Sequence, residues 1–338
     1  MIMSWNTTNK CNMFCDHCYR ESGEAATGEL DTNQAKKLIE EVAKAGFKMM
    51  IFSGGEPMTR PDIYELIAHA KSCGLRPVLG SNGSLITPEA AARLKEAGLA
   101  GAGISLDSLD KAKHDQLRRL DGAWDAAVAG MKNCLNVGLR VQIHTTVMDW
   151  NQAEVEDITD FAVQIGASAH HIFFLVPTGR GEKIVDQALN REDYEGLLVR
   201  IMEKAKTVDI EIKPTCAPQF MRVAEEVGHK QRFSKGCLAG TSYCIISPKG
   251  DVQPCAYMKM EIGNVKDTPF DQIWAQSPVF QTLRTLDYSG LCGHCGYKSK
   301  CGGCRARAAY YHEGDYMSED PLCIMQQRAT KGGSSCTN

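Results

Sequence analysis

The sequence predicts an α/β protein in two parts. A partial, TIM-like parallel (β/α)6 barrel occupies residues 1–208, an irregular cysteine-rich domain 209–328, and a disordered polar tail 329–338. Three observations lead to that reading. From residue 2 to about 207, short apolar runs alternate with amphipathic stretches. Near 208 the alternation stops, and after Lys213-Pro214-Thr215-Cys216 the chain turns irregular. Of fifteen cysteines, three fall within residues 11–18 and eight between 237 and 323, so two thiol-rich regions flank a cysteine-poor scaffold.

The expected strands are Ile2–Thr7, Met49–Phe52, Pro77–Gly80, Gly101–Leu106, Val141–Val147 and His171–Val176. Between them lie stretches such as Ala35–Lys44, where apolar residues recur at steps of three and four. Thr87-Pro88-Glu89 opens one helix with a capping hydroxyl, proline at the first helical position, and then an acid. Gly46, Gly74, Gly98, Gly138 and Gly166 stand where helices end. Six strand–helix units in a row imply a parallel sheet with right-handed crossovers, whose functional loops follow the carboxyl ends of the strands. Those loops, Asn9–Arg20, Ser53–Arg60, Ser81–Leu85 and Asp107–Arg119, are the polar, glycine-rich ones.

Composition narrows the function. Net charge is −3, from 38 basic and 41 acidic residues with no basic stripe, which argues against a nucleic-acid partner. No apolar run approaches the ~18 residues that span a bilayer, and Met1–Trp5 does not open a signal peptide, so a cytoplasmic protein is expected. In that compartment thiols stay reduced, and closely spaced cysteines bind metal rather than form disulfides.

Cys11-x3-Cys15-x2-Cys18 follows directly on the first strand. Three thiolates this close serve one centre: a cubane with one iron left open, or a zinc ion with a distant fourth ligand. The later set is Cys237, Cys244, Cys255, Cys292, Cys295, Cys301, Cys304 and Cys323. Eight thiolates suit two [4Fe–4S] clusters and equally two zinc ribbons. Cys216 is a spare near this set, Cys73 and Cys134 read as core residues, and Cys336 lies in the tail.

The triplet, with Ser53-Gly54-Gly55-Glu56-Pro57 after the second strand, resembles the radical S-adenosylmethionine (radical SAM) superfamily. The resemblance implies that Cys11, Cys15 and Cys18 hold a [4Fe–4S] cluster that cleaves S-adenosylmethionine to a 5′-deoxyadenosyl radical. It implies that Gly54 and Gly55 let the backbone approach the methionine moiety and that Glu56 accepts from its ammonium. Ser105-Leu106-Asp107-Ser108 matches the ribose-contacting segment, so Ser105 and Asp107 would face the cofactor, and Arg118 would pair with the methionine carboxylate. The later cysteines resemble the twin-cluster SPASM extension, with Cys237, Cys244, Cys255 and Cys304 on auxiliary cluster I. Cys292, Cys295, Cys301 and Cys323 would hold auxiliary cluster II, making three [4Fe–4S] clusters in all. Two residues separate Cys301 from Cys304 where the family pattern has three.

Closer likeness extends over about residues 1–328. His170–Gly181, Lys213-Pro-Thr-Cys-Ala-Pro218, Gly236-Cys-Leu-Ala-Gly240 and Cys301-Gly-Gly-Cys-Arg-Ala-Arg307 resemble the NirJ and Ahb enzymes of tetrapyrrole side-chain processing, the heme-synthase branch above all. That branch implies oxidative decarboxylation of two iron-coproporphyrin III propionates to vinyls, giving heme, with a low-potential donor of ferredoxin or flavodoxin type. Other readings are a didecarboxysiroheme deacetylase, a heme d1 side-chain enzyme, a ribosomal-peptide maturase and a zinc-bound structural or adaptor protein. The maturase is disfavoured because ten residues before Cys11 leave no room for a peptide-recognition domain. Arg180 and Lys183, after the sixth strand, are the candidates for pairing with propionates. Strand alternation puts His170 and His171 on opposite faces, so at most one points inward.

Overall fold

The computed structural model describes residues 1–326; the tail expected at 329–338, with Cys336, lies outside them. In chain order the elements are β1 (Ile2–Asn6), α1 (Thr32–Lys44), β2 (Met49–Ser53), α2 (Ile63–Ser72), β3 (Arg76–Ser81) and α3 (Pro88–Glu96). There follow β4 (Gly101–Ser105), α4 (Lys111–Arg118), α5 (Ala123–Asn136), β5 (Arg140–Val147), α6 (Val155–Gln164), β6 (Ala169–Phe174) and α7 (Arg191–Lys204). Next come β7 (Glu211–Thr215), α8 (Phe220–Glu226), β8 (Tyr243–Ile246) and β9 (Val252–Gln253). One sheet runs β7-β6-β5-β4-β3-β2-β1-β8-β9, and only the β8–β9 pair is antiparallel.

The expected local chemistry is present. Asp31 caps α1 by accepting from Gln34 N while Gln34 returns a bond to Asp31 N, a capping box. Thr87 Oγ1 accepts from Ala90 N at the start of α3, with Pro88 in the first turn. Past the helix ends Gly46, Gly74, Gly98, Gly138 and Gly166 all take φ between 70° and 86°, which costs other residues about 1 kcal/mol. Each helix lays an apolar stripe on one face of the sheet. Met3, Trp5, Met50 and Phe52 pack there with Leu38, Ile39, Leu66 and Ile67 in one core. The opposite face of the strands lines the barrel lumen.

The strand–helix alternation does not stop at 208. β7 pairs in parallel with β6, and α8 packs with α7 in a second core, so residues 209–226 continue the barrel. Pro214 hides this strand: proline cannot donate to a ladder and is confined to edge strands, and β7 is the edge. At the other end β8, from the cysteine-rich region, pairs in parallel with β1, Met3 opposite Cys244. Beyond β9, α9 (Phe270–Gln276) and α10 (Pro278–Thr285) return Phe270, Trp274 and Phe280 to the main core. The segment after residue 286 is largely irregular and carries the short helices α11 (Gly290–His294) and α12 (Arg305–Tyr311). Among the described residues no helix is long and apolar enough to cross a membrane.

Candidate active site and cluster sites

The loop after β1 gathers Cys11, Cys15 and Cys18 with Met13, Ala123 and Leu120 at the carboxyl end of the strands. Cys15 is buried, and Cys11 and Cys18 pack partly buried against the same small cluster. Burial pushes the Cys11 thiol up to about 11 and raises Cys15, so a bound metal is what would hold them as thiolates. Donors already aim at the sulfurs: Met13 N lies 3.4 Å from Cys11 Sγ and Arg118 Nη1 3.8 Å from Cys15 Sγ. Such bonds tune iron–sulfur centres.

The turn after β2 is bound edgewise to this loop. Gly55 N donates to Thr8 O and Glu56 N to Lys10 O, both at 2.8 Å. A Cβ on Gly54 would stand 2.6 Å from Thr8 O, and one on Gly55 would overlap Lys10 O. The glycines are therefore required first by the neighbouring loop. Glu56 is wholly buried; Oε1 accepts from Ser81 Oγ (2.9 Å) and Met58 N (3.1 Å), and Oε2 from Asn82 N (2.9 Å). A carboxylate has about four acceptor positions, so one is left. Burial pushes its carboxyl up to about 7 against those hydrogen bonds. Asn82 also reaches Asn12 in the cysteine loop (2.9 Å), so the Ser81-Asn82 turn braces both motifs.

Asp107 is wholly buried: Oδ2 takes Arg118 Nε and Nη2, both at 2.7 Å, and Oδ1 takes Thr146 N at 2.9 Å. Those partners hold it below the usual carboxylate range despite burial. Asp107 orients Arg118, whose other nitrogen reaches Cys15. Ser105 ends β4 half-buried and in register with His144.

Arg180 Nε donates to Cys15 O and its Nη1 to Ser22 O, both at 2.8 Å, while its guanidinium covers Phe14. It clamps the cysteine loop through these contacts. Lys183 is exposed on the 3-10 segment Gly179–Gln187.

Inside the lumen the sheet presents two histidines, for which the sequence favours a structural role over ligation of a substrate's iron, and a lysine to which it gives no role. His144 and His171, in register on β5 and β6, stack at 5.3 Å and 5°. His171 Nε2 lies 3.0 Å from Glu211 Oε1, and the next residue in register is Lys213, its ammonium 4.7 Å from the Phe233 ring centroid. Burial lowers both histidines, His144 well below its ordinary value, so the rings are neutral near pH 7. His170 faces the other way, between Thr159 and Thr145 at 2.9 Å each.

The later cysteines fall into two groups. Cys292, Cys295, Cys301 and Cys323 line one small cavity together with Gln219. Cys237, Cys255 and Cys304 converge elsewhere, and Cys216 joins them. Cys244 does not. It is fully buried in the helix-side core with its Sγ 3.9 Å from Met3 Sδ, because alternation along β8 turns it away from the lumen. Between the groups lies a pair that sequence reading missed. Asp320 accepts from Arg307 Nε, Arg307 Nη2 and Gln219 Nε2 at 2.8 Å, and from Cys304 N at 2.7 Å. Both charged side chains are about 1% exposed or less.

The donor set fits iron–sulfur clusters. The thiols form neighbouring sets, as a cluster needs when each iron takes its own thiolate. Asn6 Nδ2, His17 Nδ1, Arg20 Nε and Ser22 Oγ, all flanking the first cysteine loop, are buried without a partner.

Fold and thiol sets thus define a class, an iron–sulfur barrel with a cluster-bearing extension. Residues 5–162 match the radical SAM superfamily and residues 237–304 the SPASM iron–sulfur cluster-binding domain. The chain belongs to the radical SAM family that includes the AdoMet-dependent heme synthases. It is 42% identical to the one from Nitratidesulfovibrio vulgaris, over 97% of this chain and 93% of that protein. To the one from Methanosarcina barkeri it is 39% identical, covering 96% of each. The Fe-coproporphyrin III synthase of the same archaeon is 29% identical, over 96% of this chain and 88% of that protein. The fold matches Streptococcus suis SuiB bound to S-adenosylmethionine with a TM-score of 0.76 and 17% identity, over 95% of this chain and 76% of that one. The protein is accordingly an enzyme that uses S-adenosylmethionine and iron–sulfur clusters.

Proposed function

We propose that the protein converts iron-coproporphyrin III to heme by oxidative decarboxylation of two propionates to vinyls, using one S-adenosylmethionine-binding and two auxiliary [4Fe–4S] clusters. The carrying observation is the whole-length likeness to heme synthases: 39% identity against 29% for the Fe-coproporphyrin III synthase of one organism. When bound, S-adenosylmethionine and its cluster supply a carbon-centred radical able to take hydrogen from an unactivated carbon, and an auxiliary cluster takes up the remaining electron.

The chain's own part is to hold and shield. Cys11, Cys15 and Cys18 leave one coordination position open for a chelating cofactor. The last acceptor position of Glu56 suits an ammonium, which would restore the ionisation that burial suppresses. Arg118, fixed by Asp107, neutralises a carboxylate beside Cys15. In the lumen Lys213 pairs with a substrate carboxylate, and the flat His144–His171 stack offers neutral ring nitrogens and an apolar face to a macrocycle. Lys183, on the rim after β6, meets a carboxylate that projects outward. The electron donor is a low-potential protein of ferredoxin or flavodoxin type.

The test is anaerobic incubation with reductant, S-adenosylmethionine and iron-coproporphyrin III. Chromatography should show heme, with carbon dioxide and 5′-deoxyadenosine released. Consumption of didecarboxysiroheme beside unchanged iron-coproporphyrin III would assign the deacetylase reaction instead.

A further inference from the structure

Four sulfurs must close the inner auxiliary site, and Cys-x6-Cys spacing makes Cys244 the obvious partner of Cys237. The sheet forbids it. On β8, Tyr243 and Cys244 point to opposite faces. Tyr243 lies on the side of Cys255 and Tyr19. Cys244 pairs in register with Met3, and the two share the core of Trp5, Phe52, Ile246 and Phe280. Because the two directions differ by strand face, no change of side-chain rotamer carries the Cys244 sulfur across. The charged group that acts on its thiol is Arg284, on the helix side.

Cys216 stands where the fourth sulfur is needed. It follows β7 directly, at the carboxyl edge of the barrel, in left-handed backbone at φ 61°. It packs with Cys255 and Cys304 around Val176 and Met258. Cys304, Cys255 and Cys237 are its neighbouring thiols. Arg307 Nη1 holds the Cys216 carbonyl at 3.1 Å while Asp320, on the same guanidinium, holds Cys304 N. One buried ion pair thus fixes the backbone of both residues.

We propose that Cys216, and not Cys244, completes the inner auxiliary cluster with Cys237, Cys255 and Cys304. The cluster is then bonded to the end of β7, three residues from Lys213, as part of the lumen wall. This assignment rests on the thiol geometry and is independent of which substrate the lumen takes.

The test uses the full chain with Cys11, Cys15 and Cys18 replaced by alanine, reconstituted anaerobically, so that only auxiliary clusters remain. That background should hold about eight irons per chain. Adding Cys244→Ala should leave the iron content and the reduced-state electron paramagnetic resonance spectrum unchanged. Adding Cys216→Ala leaves the inner cluster three thiolates, so its component of the spectrum should change or vanish, with loss of up to about four irons. Cys216→Ser, which keeps an oxygen ligand, should retain iron with shifted g values. Iron loss on Cys244→Ala in a chain whose circular dichroism is native would overturn the assignment, and so would an unchanged spectrum in both Cys216 variants.

Discussion

The loop holding Cys11, Cys15 and Cys18 and the segment holding Cys292 to Cys323 both gather thiols, but different forces hold them. The first hangs from the end of a central strand. It is bonded to the β2 turn through Thr8 and Lys10, to Gly23 through Cys11 N, and to Arg180 through Cys15 O. Its shape follows from sheet geometry. The second follows the last strand of the sheet, and its two short helices span five and seven residues. Its order rests on the thiols, on Arg305 bonded to Tyr316 O and Ser318 O, and on the Arg307–Asp320 pair. A thiol site on a sheet is shaped before metal arrives; one in irregular chain is shaped with it.

Iron removal separates the two most strongly. Metal binding energy is folding energy where no scaffold exists, so amides of residues 290–323 should exchange on the order of a thousandfold faster in iron-free protein. Those of β1–β6 should change little. Uniform loss of protection would erase the distinction. Next in size is Asp320→Asn, which leaves Arg307 charged and unpaired in the interior and should cost about 3–5 kcal/mol in denaturant unfolding. A double variant with Arg307→Met should recover part of that loss.

Gly55→Ala should act on the first loop alone. The added methyl collides with the Lys10 carbonyl, and displacing the loop by about 1 Å should lower 5′-deoxyadenosine formation roughly 100-fold while the auxiliary clusters remain. Arg180→Lys replaces a fork on two carbonyls by a point charge. It should cost about 1–3 kcal/mol and loosen the first cluster, with the apparent affinity for porphyrin unchanged. A raised porphyrin KM at full iron content would restore Arg180 as a substrate contact.

The smallest effect is in pH dependence. With its carboxyl pushed up to about 7 in the fold, Glu56 stabilises iron-free protein fully below its unfolded value near pH 4.5. That contribution is lost as pH rises through about 7, with a slope of at most about 1.4 kcal/mol per unit. His17 and His114, pulled down to about 4 by burial, act in the opposite sense and cost stability below about pH 6.5. The measurement is therefore the difference between wild type and Glu56→Gln, which should vanish at low pH and favour the glutamine by pH 8.

The same division governs what the sequence disclosed. Periodicity located β1 to β6 within two residues, and cap chemistry placed Thr87 and five helix-ending glycines, because these signals are local. The cysteine triplet was legible for the same reason. β7 was not, since Pro214 and a five-residue length disguise an edge strand. The bond of Arg180 to Cys15 O, far back along the chain, and that of Asp107 to Arg118, within one loop, follow from no local pattern. The strand face of Cys244 was hidden too, because thiol spacing does not carry it. Cys216 and Asp320 matter only through tertiary neighbours on either side of Arg307.

The pairing of β8 with β1 has a consequence for the order of synthesis. Within this sheet β1 is made before every other strand, yet Ile2 N finds its acceptor on Ser242 O, and one edge of β1 stays bare until Tyr243–Ile246 are made. A nascent chain or a proteolytic fragment ending before Tyr243 carries an open parallel edge beside the loop of Cys11, Cys15 and Cys18. β8 is thus a lid on β1, and its arrival marks when the nascent barrel stops being an aggregation hazard.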